Sequence, residues 1–473
     1  MTEPTPTLLW LRRDLRLSDH AALSAALARG SPVIPVFICD NTVEALGAAP
    51  KWRLRLALAA LSRQLQEKGS RLILRRGDAL ECLRALIRET GARAVHWSRL
   101  YDPQAIERDK AVKSALTEAG VIVKSHPGHL LFEPWTVETQ QGGYYKVYSP
   151  MWRAVKNRDI ASPGSTPDKL NAPEDWPQTE MLADWTLAAG MNRGAEVCLP
   201  HQRVGETAAQ ERLEWFIANA IADYNDARNM PAVEGTSGLS ENLALGEISV
   251  AQCWHAGQRA LHEGARGAEQ WLKELVWREF AYHLLFHTPR IATRNWREEW
   301  DAFPWSEDAD AAAVQRWKQG RTGVPFVDAA MREMYVTGKM HNRGRMIVAS
   351  YLTKHLMTHW RVGQKWFDEC LTDWDPASNA MGWQWAAGSG PDAAPYFRIF
   401  NPETQLAKFD PKGAYAQAWI AETSDSPSDT ALSYFEAIPR RWAFGPQDAY
   451  PHPMISLSAG RQRALEAYQG RSF

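Results

Sequence analysis

Residues 378–390 read SNAMGWQWAAGSG, a run without formal charge that carries one amide, Asn379, and two indoles one residue apart, Trp383 and Trp385. Side chains at i and i+2 diverge in either regular geometry, so the two rings are expected to face different surroundings. Residues 271–290, WLKELVWREFAYHLLFHTPR, set Glu274 and Arg278 four apart on a helical face, with Trp271 a turn earlier and Trp277 alongside. The plainer account of that segment is an exposed ion pair beside two core indoles. Residues 338–361, GKMHNRGRMIVASYLTKHLMTHWR, carry Lys and Arg with no acid among them, which reads as a phosphate-facing surface. His341 within it is taken as structural. EGTSGLSENLALGEIS (234–249) puts hydroxyls and glycines before a helical start. Backbone N–H groups there bind phosphate, and Ser and Thr also cap helices everywhere.

These segments need a scaffold, and the chain supplies two kinds. Over the first 130 residues TLLWL, PVIPVFI, RLILR and ARAVHW are strand-length runs rich in Val, Ile and Leu. Between them DHAALSAALARG, KWRLRLALAALSRQLQEKG and DALECLRALIRETG have helical period and glycine stops. This alternation predicts a parallel sheet of βαβ units, a Rossmann-like α/β domain over 1–130. LRRDLRLSD follows the first strand in place of GxGxxG, so a dinucleotide held in the Rossmann manner is not indicated. Residues 131–205 break into Pro-, Gly- and Ser-containing sequence, read as an interdomain connector with one short helix near 148–158. From 206 to 473 the period is helical, which predicts an all-α second domain.

A chain of 473 residues is expected to form two domains. The net charge of −1 excludes a globally basic nucleic-acid coat but leaves room for a local basic face. Tryptophan (22) outnumbers tyrosine (13) and phenylalanine (14); most of these rings are core, and the excess invites stacking on a flat ligand. Cys39, Cys82, Cys198, Cys253 and Cys370 form no CxxC and no Cys/His pairing, which argues against a zinc site or disulfide framework and fits a reducing cytoplasm. Neither a signal peptide nor a membrane span is supported by the pattern, so a soluble, cytoplasmic protein without membrane partners is expected; a monomer without metal is expected as well.

Taken in order, LLWLRRDLRLSDHAAL, TSGLS, WLKELVWREF, MHNRGRM and GWQWAAGSGPDAAPYFRIFNP resemble the successive motifs of the DNA photolyase/cryptochrome family, across nearly the whole chain. DWDPASNAMGWQW looks closest to a bacterial branch of cyclobutane pyrimidine dimer photolyases related to plant cryptochromes. The resemblance implies an antenna-binding α/β domain and a helical domain that buries FAD. Tyr224 and the loop Thr236, Ser237, Gly238, Leu239, Ser240 would hold the flavin phosphates. Gly238 stands where Arg or Lys is usual and Glu241 where Pro is common, so one cation fewer is expected there. Trp271 and Arg278 would line the site, and Asp373 and Asp375 would contact ring and ribose. Arg345 would pair with Asp373 to compensate a buried carboxylate. Asn379 would face flavin N5, where a neutral amide can donate or accept.

The implied substrate is a cyclobutane pyrimidine dimer flipped out of DNA. Trp277 and Trp385 would wall the dimer, and Asn342 and Met346 would complete the pocket. Glu274 would hydrogen-bond the dimer's polar edge, as a protonated donor if its surroundings are apolar. The (6-4) photolyases carry histidine at both 342 and 346, so (6-4) repair is disfavoured. Arg228, Arg343, Arg398 and Gln405 match positions on the DNA strand around the lesion. Indole is easily oxidised, and Trp383, Trp360 and Trp305 match the family's chain from flavin to surface. The implied reaction is light-driven electron transfer from reduced FAD to the dimer, whose ring splits. The rival is a cryptochrome-type photoreceptor that binds FAD without repair; Glu274, Trp277, Asn342, Met346 and Trp385 together favour repair. In YDPQAIERD (101–109), Gln104 and Ala105 replace the polar pair of the best-known folate site. The expected antenna is methenyltetrahydrofolate, with a deazaflavin as the alternative.

Overall fold

The computed structural model describes residues 5–392 and 397–471. Positions 393–396 of the GWQWAAGSGPDAAPYFRIFNP motif lie outside the described residues. The first part of the chain forms a five-stranded parallel sheet from β1 (Thr7–Leu11), β2 (Val33–Cys39), β3 (Ile73–Arg76), β4 (Ala94–Ser98) and β5 (Ile122–His126), in the order β3-β2-β1-β4-β5. β1 is central, with Trp10 in register with Val36 on one side and Trp97 on the other. Both faces of β1 and β2 are buried, which is why these strands read as unbroken apolar runs.

The fifth strand was not anticipated. β5 is an edge strand with Ile122 44% exposed, and Lys124, Ser125 and His126 interrupt its apolar pattern. The other edge is covered by the segment around Thr179 and Glu180. Leu74 N donates to Thr179 Oγ1 at 2.9 Å, Glu180 N to Leu74 O at 3.0 Å, and Arg76 N to Glu180 Oε1 at 2.8 Å. Those contacts occupy backbone groups that an open edge would present to another chain. The short helix expected near 148–158 is Tyr148–Val155; a second one, Gly194–Cys198, and several 3-10 turns were not expected.

After His126 the described residues form helices, turns and two isolated bridges. Two large hydrophobic cores fill the helical part, beside a small one at Val336, Tyr434 and Ile438. One is built around helix Ala268–His287, and the other around Pro325–Thr337, Asn342–Ser350 and Trp360–Cys370. The run AAQERLEWFIANAIADYNDARN is not one helix: it stops at Asn219, passes through a 3-10 turn and resumes at Tyr224–Ala227. Gly267 approaches this break so closely that a Cβ would lie 2.1 Å from Ile221 O. The run RGRMIVASYLTKHLMTHW also divides, with a π-turn over Tyr351–His355 before the helix Trp360–Cys370.

The segment after β1 ties the two parts together. Leu15 N donates to Leu245 O at 3.1 Å and Arg16 Nη1 to Gly246 O at 3.0 Å. Leu17 N and Ser18 N donate to the buried Glu206 carboxylate at 2.7 and 2.9 Å. In open parallel sheets the carboxyl end of the strand where the order reverses is the usual ligand crevice. Here that place, beyond β1, is taken by contacts with the helical part.

Candidate active site

Helix Pro376–Ala387 organises the site. Asp375 caps it by accepting from Ser378 N at 2.8 Å, Pro376 supplies the first turn, and Gly388 ends it at φ 91°. Trp383 and Trp385 leave this helix in different directions: Trp383 is buried and Trp385 half-buried. Trp383 packs edge-on against Phe367 at 4.9 Å, and a Cβ on Gly363 would meet its ring at 2.0 Å. Gly363 lies one turn beyond Trp360, so Trp383 sits against the face that Trp360 begins. Trp360 Nε1 donates to Asn295 Oδ1 and Trp305 Nε1 to Thr353 O, both at 2.8 Å. His359 lies between these two indoles, 5.4 Å from Trp305 and 5.3 Å from Trp360. All three tryptophans share one hydrophobic core.

The two acids beside this helix are buried and differently satisfied. Asp375 accepts from Arg13 Nη2 at 2.8 Å and from the Tyr282 hydroxyl. Burial alone would push its carboxyl up; the Arg13 and Arg278 charges and the bonds from Tyr282 and Ser378 outweigh it and hold the group below the ordinary range. Asp373 accepts from Arg345 Nη2 at 2.7 Å through Oδ2, while its buried Oδ1 has no hydrogen-bond partner among the described residues. Arg278 donates to His129 O at 2.8 Å and lies 3.6 Å from Glu279. It does not pair with Glu274, so the four-residue spacing does not produce the expected contact. Burial first, and then the charges of Arg278, Arg13 and Arg16, push His129 well below the ordinary imidazole value.

Thr236, Ser237, Gly238, Leu239 and Ser240 lead into the helix Ser240–Leu245, which has no side-chain cap. Arg212 braces this loop, donating through Nε to Ser237 O at 2.7 Å and through Nη2 to Thr236 O at 2.8 Å. Space beside Gly238 is bounded by guanidinium groups: a Cβ there would be 3.6 Å from Arg212 Nε and 3.8 Å from Arg203 Nη1. Two arginines from elsewhere therefore stand beside position 238, and both reach Glu234 Oε1, Arg212 at 2.7 Å and Arg203 at 3.4 Å. Glu241 is fully buried and takes Lys339 Nζ at 2.8 Å, with Arg53 Nε at 3.7 Å. Tyr224 and Trp271 are buried against Phe216, at 5.6 and 5.0 Å.

Glu274 is seated otherwise than expected. Its Oε1 takes Arg228 Nη1 at 2.6 Å and Gln270 Nε2 at 2.7 Å, a charge-paired and partly exposed position instead of an apolar one. One face of Trp277 is covered by Tyr148, stacked at 3.7 Å and 5°, so only the other face can receive a flat ligand. Asn342 and Met346 lie one turn apart, 3.9 Å between Nδ2 and Sδ. Arg343 donates to Asn229 and lies 4.3 Å over Phe409; burial and the like charge of Arg228 push its guanidinium down. Arg398 is exposed, 5.9 Å over Phe400, and Gln405 is half-buried on helix Pro402–Phe409. Arg13, Tyr282, Tyr148, Arg203 and Arg212 were not singled out from the sequence. Only Arg13 carried a signal there, as part of the RRD that follows the first strand.

A parallel α/β sheet joined to a helical part with buried paired acids, guanidinium groups and a core of indoles defines a two-domain protein of the photolyase fold. Residues 7–173 match the family described as DNA photolyase, and residues 271–470 the family described as FAD binding domain of DNA photolyase. A deoxyribodipyrimidine photo-lyase from Agrobacterium fabrum is 45% identical, covering 98% of this chain and 97% of its own. Cryptochrome-2 of Arabidopsis thaliana is 35% identical over 98% of this chain and 78% of its own. The crystal structure of a bacterial class III photolyase from Agrobacterium tumefaciens superposes with a TM-score of 0.91 at 44% identity, covering 99% and 98% of the two chains. The chain belongs to the DNA photolyase/cryptochrome family. No helix among the described residues is long and apolar enough to cross a membrane.

Proposed function

We propose that this protein is a deoxyribodipyrimidine photo-lyase, which uses light to split cyclobutane pyrimidine dimers in DNA. The observation that carries the reading is the segment 373–385. It sets two buried acids and an amide at the start of helix Pro376–Ala387 and two diverging indoles in its second half, with Arg228 against Glu274 and Arg343 facing the charge of Arg228 as a basic rim. The residues present fit FAD. Among the described residues Asp373 Oδ1 is a buried acceptor without a partner, and a Cβ on Gly382, one turn after Asn379, would meet none of them within 4 Å.

Tyr224, Trp271 and the loop Thr236–Ser240 would hold the cofactor with Arg278, Arg345, Asp373, Asp375 and Asn379; Arg203 and Arg212 would meet its phosphates. When bound, reduced FAD supplies light absorption and one-electron donation. Arg345 pairs with Asp373 through Oδ2, and Arg13 and Tyr282 help hold the Asp375 carboxyl below its ordinary range. Trp277, backed by Tyr148, and Trp385 would stack on the dimer, while Asn342 and Met346 exclude water from it. Glu274, released from Arg228 as that arginine turns to a phosphate, would hydrogen-bond the dimer. Arg343, Arg398 and Gln405 would hold the flanking strand. Trp383, Trp360 and Trp305 would carry electrons inward to recharge the flavin. Residues 1–130 would form the antenna domain, 131–205 the connector and 206–473 the catalytic domain, in a monomer. For the antenna the resemblance supports methenyltetrahydrofolate over a deazaflavin.

Illumination of the photoreduced protein with DNA containing a thymine dimer should restore two thymines per lesion. Bound FAD without light-dependent repair would overturn the enzyme reading and leave a photoreceptor.

A further inference from the structure

We propose that Asp368 is a positioning residue that fixes the side-chain amide of Asn379, so that only its carbonyl oxygen is offered to the flavin ring; the proposal rests on the FAD reading above. Asp368 stands on helix Trp360–Cys370, and Asn379 on the neighbouring helix Pro376–Ala387. Asn379 Nδ2 donates to Asp368 Oδ1 at 2.7 Å and to the backbone carbonyl of Gln364 at 3.3 Å. A carboxylate and a backbone carbonyl accept and cannot donate. Both partners therefore select the NH2 end of the amide, and neither could hold Oδ1. Both amide hydrogens are used in this way, and Oδ1 has no hydrogen-bond partner among the described residues.

Asp368 is itself held in place. The Trp374 indole N–H, from the turn between the two helices, donates to the same Oδ1. The start of helix Ala48–Glu67 backs the residue so closely that a Cβ on Gly47 would lie 2.0 Å from the Asp368 carbonyl oxygen. Burial pushes the carboxyl up to about 6, against the lowering effect of the Trp374 and Asn379 bonds, so it remains an acceptor at neutral pH.

Without Asp368 an asparagine at 379 could present either end, since amide oxygen and nitrogen differ little in size. With it, the site offers only an acceptor. A ring nitrogen that carries hydrogen is satisfied by that acceptor, whereas a bare nitrogen is not. Asp368 thereby favours the reduced, N5-protonated form over the oxidised one and raises the flavin midpoint potential, without touching the flavin.

The test measures midpoint potential by dye equilibration in FAD-loaded wild type, Asp368→Leu, Asp368→Glu, Asn379→Leu and the double variant Asp368→Leu/Asn379→Leu, with FAD content checked by absorbance after gel filtration. Leucine removes both the charge and the acceptor, whereas asparagine would keep an acceptor oxygen under the Trp374 N–H. Loss of the Asp368 charge alone raises the potential, and the Asn379→Leu background reports that part by itself. Asp368→Leu should shift the potential lower in the native background than in the Asn379→Leu background, and Asp368→Glu should stay near wild type. Equal shifts in the two backgrounds would show that Asp368 acts as a distant charge, and the positioning role would fall while the FAD reading stood. If the wild type itself retains no FAD, the FAD reading fails first. If Asp368→Leu does not fold, a wild-type potential in Asn379→Leu would overturn the proposal, because the amide would then contribute nothing to be positioned.

Discussion

Two glycines in adjacent helices make opposite predictions from the same substitution. Glycine to alanine in a helix interior is worth about 1 kcal/mol through backbone entropy when the methyl has room. On helix Pro376–Ala387 a Cβ at Gly382 would meet nothing within 4 Å. Gly382→Ala should therefore stabilise the FAD-free protein by up to about 1 kcal/mol, a rise in Tm of about 2 °C. Gly382 shares a face with Asn379, three residues earlier, so the same methyl would enter the space assigned to the flavin. Overpacking costs about 1–3 kcal/mol, which corresponds to FAD binding weakened by about 5- to 150-fold. Gly363 is the reverse case. A Cβ there would lie 2.0, 2.4 and 2.6 Å from three atoms of the Trp383 ring, which is already confined by Phe367 and Trp317. The ring cannot yield by the required distance, and the overpacking cost outweighs the entropy gain. Gly363→Ala should lower Tm with or without FAD. Thermal unfolding by circular dichroism and FAD titration by fluorescence quenching read all four quantities. Wild-type FAD affinity in Gly382→Ala would refute the placement of the flavin on this face, and wild-type Tm in Gly363→Ala would refute the packing argument.

Other outcomes follow from single contacts. Burial pushes Glu279 up from 4.5 to about 7, against the Arg278 charge and its bonds from Phe132 and Leu131. The unfolded chain then loses this proton first, so the group's contribution is complete below about pH 4.5 and is lost as pH rises through about 7. That contribution is at most about 3 kcal/mol, and Glu279→Gln should flatten the decline in denaturant midpoint between pH 5 and 7; an unchanged slope would assign it to other groups. Trp360→Phe should slow FAD photoreduction while leaving repair by dithionite-reduced enzyme intact, and loss of both activities would mean a structural defect. Arg228→Ala should weaken binding to dimer-containing DNA and reduce the slope of log affinity against log salt by about 1; an unchanged slope would mean that Arg228 serves only to hold Glu274.

Legibility in the sequence followed distance along the chain. The first four strand runs, the helical period after residue 206 and the short helix at 148–155 were visible because each depends on neighbours within about ten residues. β5 was missed because Lys124, Ser125 and His126 break the apolar run that marks the other strands, and its Ile122 is exposed. The divergence of Trp383 and Trp385 followed from helical geometry alone. Their partners did not: Gly363 and Phe367 belong to another helix.

What the sequence determined by itself is a parallel α/β unit, a helical unit, and a set of motifs whose residue types and order identify the family. These are local patterns, repeated often enough to outweigh exceptions. Which charges meet was decided only by the tertiary structure. Glu274 chose Arg228 over Arg278, four residues away on its own helix. Asp375 took Arg13, 362 positions earlier, because the loop after β1 docks against the helical part. A buried carboxylate must be compensated by whatever cation packing brings within reach, and helical spacing cannot say which that will be.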